Sequence, residues 1–192
     1  MKILIAGDSF AAKWPTGNYG WVDLLSKIYD VTNVAQAGVS EYKIYKQIKN
    51  IDLSEFDFVI VSHTSPSRIH VKEHPLHKIG LHENCDLIFN DIDRFSWFNQ
   101  KLKIAKGWFK HFYDDEYQIE IYKLLREKIN NIINIPYISL SHIEIVNQLK
   151  LEKNHIDFSK LWQDERGVVN HYTEKGNQIV FKTIQKKLTC IE

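Results

Sequence analysis

The sequence predicts an α/β fold: a three-layer α/β/α sandwich around a mainly parallel sheet. Three observations predict it. Short apolar runs, each suited to burial on both faces, recur at residues 3–6, 31–35, 56–61 and 135–140. Segments with helical periodicity alternate with them. Three of the runs lead into small or polar strings, Gly7-Asp8-Ser9, Ala37-Gly38 and Ser62-His63-Thr64, and ligands in parallel sheets bind beyond the carboxyl ends of the strands.

The elements follow in order. Residues 3–6 form a buried strand that enters a turn at Gly7-Asp8-Ser9. Over residues 21–29, Trp21, Leu24, Leu25 and Ile28 stand at i, i+3, i+4 and i+7, an amphipathic helix. Residues 31–35 make a second strand, closed by Gly38. Tyr42, Tyr45 and Ile48 mark a helix over 41–49. Residues 56–61, after Asp52-Leu53-Ser54, make a third buried strand. The pattern then breaks. The segment from 62 to 114 carries His70, His74, His77 and His82, and the aromatics Trp97, Phe98, Trp108, Phe109, Phe112 and Tyr113. A structureless loop of that length is uncommon in a compact domain. Short helices forming a cap-like insertion at about 66–114 are therefore expected. A long helix over 114–131 follows, with Tyr117, Ile121, Leu124, Leu125, Lys128 and Ile132 as its expected inner face. Residues 135–140 make the fourth strand. Thr173, followed by Glu174 and Gly176, is the expected N-cap of a last helix. The whole of 1–192 reads as a single domain.

Composition narrows the function. The chain has 192 residues, 44% of them hydrophobic, enough for a sizeable core. With 25 basic against 24 acidic residues, it lacks the excess that a dedicated nucleic-acid or anionic-membrane binder needs. Cys85 and Cys190 do not make a disulfide framework and read as reduced thiols. The apolar run before Gly7 is shorter than the roughly 7–15 residues of a signal-peptide core. No stretch approaches the ~18–20 apolar residues of a membrane span. These observations predict a cytoplasmic protein with no membrane insertion and no nucleic-acid partner.

Ser9 carries the chemical reading. A serine hydroxyl attacks only when a base takes its proton. At the end of a first strand, Ser9 can present its oxygen above the sheet with backbone N–H groups nearby. Gly7-Asp8-Ser9-Phe10 resembles the first block of the GDSL/SGNH hydrolase family. Asn33-Val34-Ala35-Gln36-Ala37-Gly38-Val39-Ser40 resembles the second, and Asn170-His171-Tyr172-Thr173-Glu174-Lys175-Gly176-Asn177 the last. The blocks occur in the family's order, and the resemblance spans nearly the whole chain. It implies a flavodoxin-like strand order, a nucleophile at Ser9 and a base at His171. It also implies an oxyanion hole built from the amides of Ser9 and Gly38.

Two departures stand out. The family's aspartate, three residues before the histidine, is replaced by Val168. The orienting acid is then Asp164, the favoured candidate, or Glu165, or a backbone carbonyl holds the imidazole in a Ser–His dyad. The family's asparagine after the third strand is absent from Ser62-His63-Thr64-Ser65-Pro66-Ser67-Arg68. Thr64, or else Ser65, is the candidate third oxyanion donor, and Arg68 a candidate for binding an anionic part of the substrate. The histidines from His70 to His82 fit no metal-ligand template, and no cofactor is expected. The aromatics between Phe95 and Tyr113 suit packing, or stacking on a sugar.

The expected function is hydrolysis of a carboxylic ester, a small O-acyl or O-acetyl group on a carbohydrate, through an acyl-enzyme. Two alternatives use the same fold: an O-acyltransferase with a drier Ser9/His171 site, or a ligand-binding module whose catalysis has eroded.

Overall fold

The computed structural model describes residues 1–13, 20–143, 154–167 and 171–189. One sheet of five strands runs in the order β2-β1-β3-β4-β5. The strands are β1 (Lys2–Gly7), β2 (Asp30–Asn33), β3 (Phe58–Ser62), β4 (Tyr137–Ser141) and β5 (His155–Asp157). Every pairing among them is parallel, and the order is the flavodoxin-like one. Four strands stand where the sequence predicts them. The fifth, β5, has three residues and lies half-exposed at the sheet edge, so it has no apolar run to announce it.

The central strands are apolar on both faces, and this explains the layers. On one face Ile3, Ile5, Phe58, Ile60, Ile138 and Leu140 pack against α1 (Trp21–Ser26) and α7 (Glu174–Thr189) through Trp21, Leu25, Val180 and Ile184. On the other face Leu4, Ala6, Val59 and Val61 meet Ile44 and Ile48 of α2 (Glu41–Lys49) and Ile129 of α5 (Asp115–Ile132). Each fully buried side chain of this kind stabilises the fold by about 1.5–3 kcal/mol. A strand buried on both sides therefore has a strong reason to sit in the middle.

The inner face of α5 differs from the expected one. Tyr122, Arg126 and Ile129 are buried, while Tyr117 and Leu124 are more than half exposed. The helix has apolar residues on more than one stripe, and the stripe against α2 is turned by about one residue's rotation from the expected one.

Between β3 and α5, the chain folds into α3 (Phe89–Phe95) and α4 (Gln100–Phe112), packed on a small core of Leu87, Ile92 and Leu102. Asn99 caps α4 by accepting from the amides of Lys101 and Leu102, and Asp114 caps α5 through Tyr117. α6 (Ser159–Asp164) lies between β5 and α7. No helix among the described residues is long and apolar enough to cross a membrane. Cys85 is a buried free thiol; Cys190 lies outside the described residues.

Candidate active site

Ser9 sits in a tight turn directly after β1. The amides of Ala11 and Ala12 both donate to the Asp8 carbonyl, and the Phe10 amide donates to Asp8 Oδ1 at 3.0 Å. Asp8 thus shapes the turn that presents Ser9, which is 8% exposed. The Ser62 hydroxyl donates to the same carboxyl oxygen at 3.3 Å. The Thr64 hydroxyl lies beside this carboxyl without closing a hydrogen bond of good geometry. Burial pushes the Asp8 pKa up to about 6, against the opposing field of Arg68 and the hydrogen bond from Phe10.

The second block is tied to this turn. The Gln36 amide donates to the Gly7 carbonyl at 3.0 Å, and Asn33 Nδ2 donates to the Ala11 carbonyl at 2.8 Å. Gln47 of α2 brackets Gly7 from the other side, bonding both its amide and its carbonyl. Gly38 follows in a left-handed conformation, φ +78°, which suits glycine because no Cβ crowds the backbone. Its carbonyl accepts from the Asp86 amide at 2.8 Å.

The string after β3 reaches the same edge, because the Asp8 amide donates to the Ser62 carbonyl. Thr64 is 2% exposed, and its amide points to Glu41 Oε2 at 3.4 Å. Arg68 is half-buried and near enough for its charge to act on Asp8. The residue between Ser62 and Thr64 carries no role in the sequence pattern but holds a charged partner in the structure. His63 is buried, with Nδ1 2.6 Å from Oε1 of the buried Glu41. That contact fixes the proton on Nδ1 in the neutral ring. His142 stands directly after β4 as His63 stands after β3, and the sequence pattern gives it no role either.

His171 enters from the last block. Its carbonyl accepts from the Gly167 amide, the Thr173 amide donates to the Glu165 carbonyl at 2.9 Å, and Arg166 pairs with Tyr172 in an antiparallel bridge. The half-buried His171 ring lies 5.2 Å from the ring of Phe10, the residue after Ser9. Asn177 closes the arrangement by accepting from the Trp21 amide at 3.1 Å. Glu165 is engaged elsewhere: Oε2 accepts from the Thr173 hydroxyl at 2.7 Å, and Oε1 pairs with Lys175. Asp164 is exposed at the end of α6, where its charge acts on Lys175, and it makes no side-chain hydrogen bond to a described residue. Val168 and Asn170 lie outside the described residues.

His142 stacks on Phe10 at 4.5 Å, and its Nδ1 is hydrogen-bonded to the Tyr172 hydroxyl at 2.7 Å. Burial, then the charges of His171, His155 and His63, hold its pKa down at about 3. Its neutral form belongs to the folded state, so it contributes stability that is fully present above about 6.5. That stability is lost as pH falls from there toward 3. Asp8 acts in the opposite sense, regaining stability as it protonates below about 6. Replacing His142 by Phe is therefore expected to flatten the fall in stability between pH 7 and pH 4 by a few kcal/mol. Thermal unfolding followed by circular dichroism at the two pH values checks this. An equally steep fall in His142→Phe would remove His142 as the source.

Two histidines of the insertion cluster with a cysteine. His74, His77 and Cys85 bring one ligand atom each within 4.8 Å of one another. The donor chemistry fits poorly. His74 Nδ1 accepts from the amides of Leu76 and His77, both at 3.1 Å. The lone pair is thus committed at Nδ1, and Nε2 becomes the N–H end of the neutral ring. Burial holds His74 down at about 4 and pushes the Cys85 thiol up to about 11. No protein-family model matches the chain, and no curated protein matches it in sequence.

Proposed function

We propose that the protein is a serine esterase of the GDSL/SGNH type that removes a small O-acyl group, such as acetyl, from a carbohydrate. The observation that carries this reading is the contact between the Phe10 and His171 rings. It brings the loop of the candidate base onto the turn of the candidate nucleophile, although 162 positions separate Ser9 from His171 in the sequence (171 − 9).

In this reading Ser9 Oγ attacks the ester carbonyl while His171 takes its proton. The amides of Ser9 and Gly38 hold the oxyanion. The tetrahedral intermediate collapses, and His171 returns the proton to the departing alcohol. Water then attacks the acyl-enzyme, with His171 again as base, and releases the carboxylic acid. We favour a two-donor hole. The Thr64 amide is turned to Glu41 and its hydroxyl lies beside Asp8, so Thr64 serves the turn before it serves the oxyanion. No third triad member is assigned, because Asp164 is exposed and Glu165 holds Thr173 and Lys175.

A fluorophosphonate probe tests the reading, since it reacts with activated serines. The expected result is one adduct per chain, located on Ser9 by peptide mass spectrometry and lost in His171→Ala. A folded protein that takes up no probe, or takes it up elsewhere, would overturn the proposal.

A further inference from the structure

We infer that the protein holds an anion-binding subsite beside its catalytic edge, built from Arg68, Ser40 and the first turn of α2. It receives a carboxylate or phosphate carried by the alcohol portion of the ester. The substrate half of this inference rests on the esterase reading; the binding half does not.

The subsite is a cavity of about 230 Å³ that Ser40, Tyr42, Ser65, Arg68, Tyr117 and Gln118 help to line. A water molecule's share of liquid volume is roughly 30 Å³, so the space takes a far larger group. Two donors on residues that line this cavity are buried with no hydrogen-bond partner among the described residues. One is the Ser40 hydroxyl, on a residue 3% exposed; the other is Nε of Arg68. Buried donors are rarely left unsatisfied in native proteins, and such atoms at a cavity mark where a ligand's acceptors belong.

The charges around the cavity favour an anion. Glu41 is committed to His63 at 2.6 Å. Asp86 is committed to Lys43 at 2.9 Å, to His70 at 3.2 Å and to the amides of Ser40 and Val71. Arg68, by contrast, makes no ion pair among the described residues, and Asp8 is the carboxylate on which its charge acts. Ser40 is also the N-cap of the nine-residue α2, and its side chain makes no capping hydrogen bond. The first-turn amides there add positive potential to that of Arg68. A planar guanidinium and a helix N-terminus suit a carboxylate and a phosphate equally. Glu41, which helps to line the cavity, also holds His63 and the Thr64 amide beyond the carboxyl end of β3, so the anion would sit at the strand edge that carries Ser9 without occupying its place.

The test separates binding from catalysis. The Ser9→Ala protein is titrated calorimetrically with methyl glucuronide, glucose 6-phosphate and methyl glucoside. An anionic sugar is expected to bind about tenfold or more tightly than the neutral one. Arg68→Gln should erase the difference, Ser40→Ala should reduce it, and Arg68→Lys should keep part of it. Circular dichroism verifies that each variant is folded. Tighter binding of the glucuronide assigns a carboxylate, and tighter binding of the phosphate assigns a phosphate. Equal binding of all three sugars, or a preference that survives Arg68→Gln, overturns the subsite. The wild-type protein is then given the mono-O-acetyl ester of each sugar, with the expected preference appearing in KM. Arg68-dependent binding without turnover of any ester would sink the esterase reading and leave the subsite standing. Turnover with no preference for an anionic ester would keep the esterase reading and overturn the anion as part of its substrate.

Discussion

Replacing His171 by alanine is expected to lower the rate constant for ester hydrolysis by about four orders of magnitude or more. At neutral pH the Ser9 hydroxyl keeps its proton unless a base within reach accepts it as the carbonyl is attacked. His171 is the candidate that the last block brings onto the Ser9 turn, by way of Phe10. Ser9→Ala should cost about as much, and the double variant should be no slower than either single one, because the two residues act as a unit. KM should change little, since neither side chain is assigned to ground-state binding. His171 is half-buried and on a loop, so its loss should leave the fold intact. Steady-state hydrolysis of 4-nitrophenyl acetate, with unfolding curves for each variant, makes the measurement. A His171→Ala rate constant within tenfold of wild type would mean that another group takes the proton. His63, held by Glu41, would then be the first to examine.

The parts legible in the sequence were those where one residue type has one physical reason. β1 and β3 are apolar on both faces, and only a sheet covered on both sides uses such runs. Gly38 reads as a position of special backbone, and its φ of +78° agrees. Where two reasons compete, the sequence is ambiguous. Along α5 apolar residues fall on more than one stripe, and the buried Arg126 is invisible to a hydrophobic pattern. β5 is too short and too exposed to stand out. The Glu41–His63 pair was not legible because packing α2 against the end of β3 creates it across 22 positions. A signal for it did exist. Ser62-His63 and Ser141-His142 each place a histidine directly beyond the carboxyl end of a strand, where ligands of such sheets collect.

Gly38→Ala should damage stability and turnover together, and a second substitution can separate the causes. The Cβ added at Gly38 would lie 2.6 Å from Cβ of Cys85, with His82 Nδ1 at 3.5 Å. It would also have to adopt φ +78°, which costs an L-residue about 1–2 kcal/mol. Overpacking adds roughly 1–3 kcal/mol, so a total loss of about 2–5 kcal/mol is expected in urea unfolding. The same displacement would move the Gly38 amide off the position proposed for the oxyanion. Losing one such donor lowers the rate constant by about 10²–10³. Cys85→Gly removes the atom that the new methyl group meets. In the Gly38→Ala/Cys85→Gly pair, the overpacking part should vanish, leaving the backbone strain and the cost of a glycine at position 85. A favourable coupling of about 1–3 kcal/mol between the two sites is the expected signature. If stability recovers and turnover does not, the left-handed backbone itself aims the amide. If both recover, the close approach of the Cys85 segment sets the aim. A Gly38→Ala protein that is folded and fully active would remove Gly38 from the oxyanion hole.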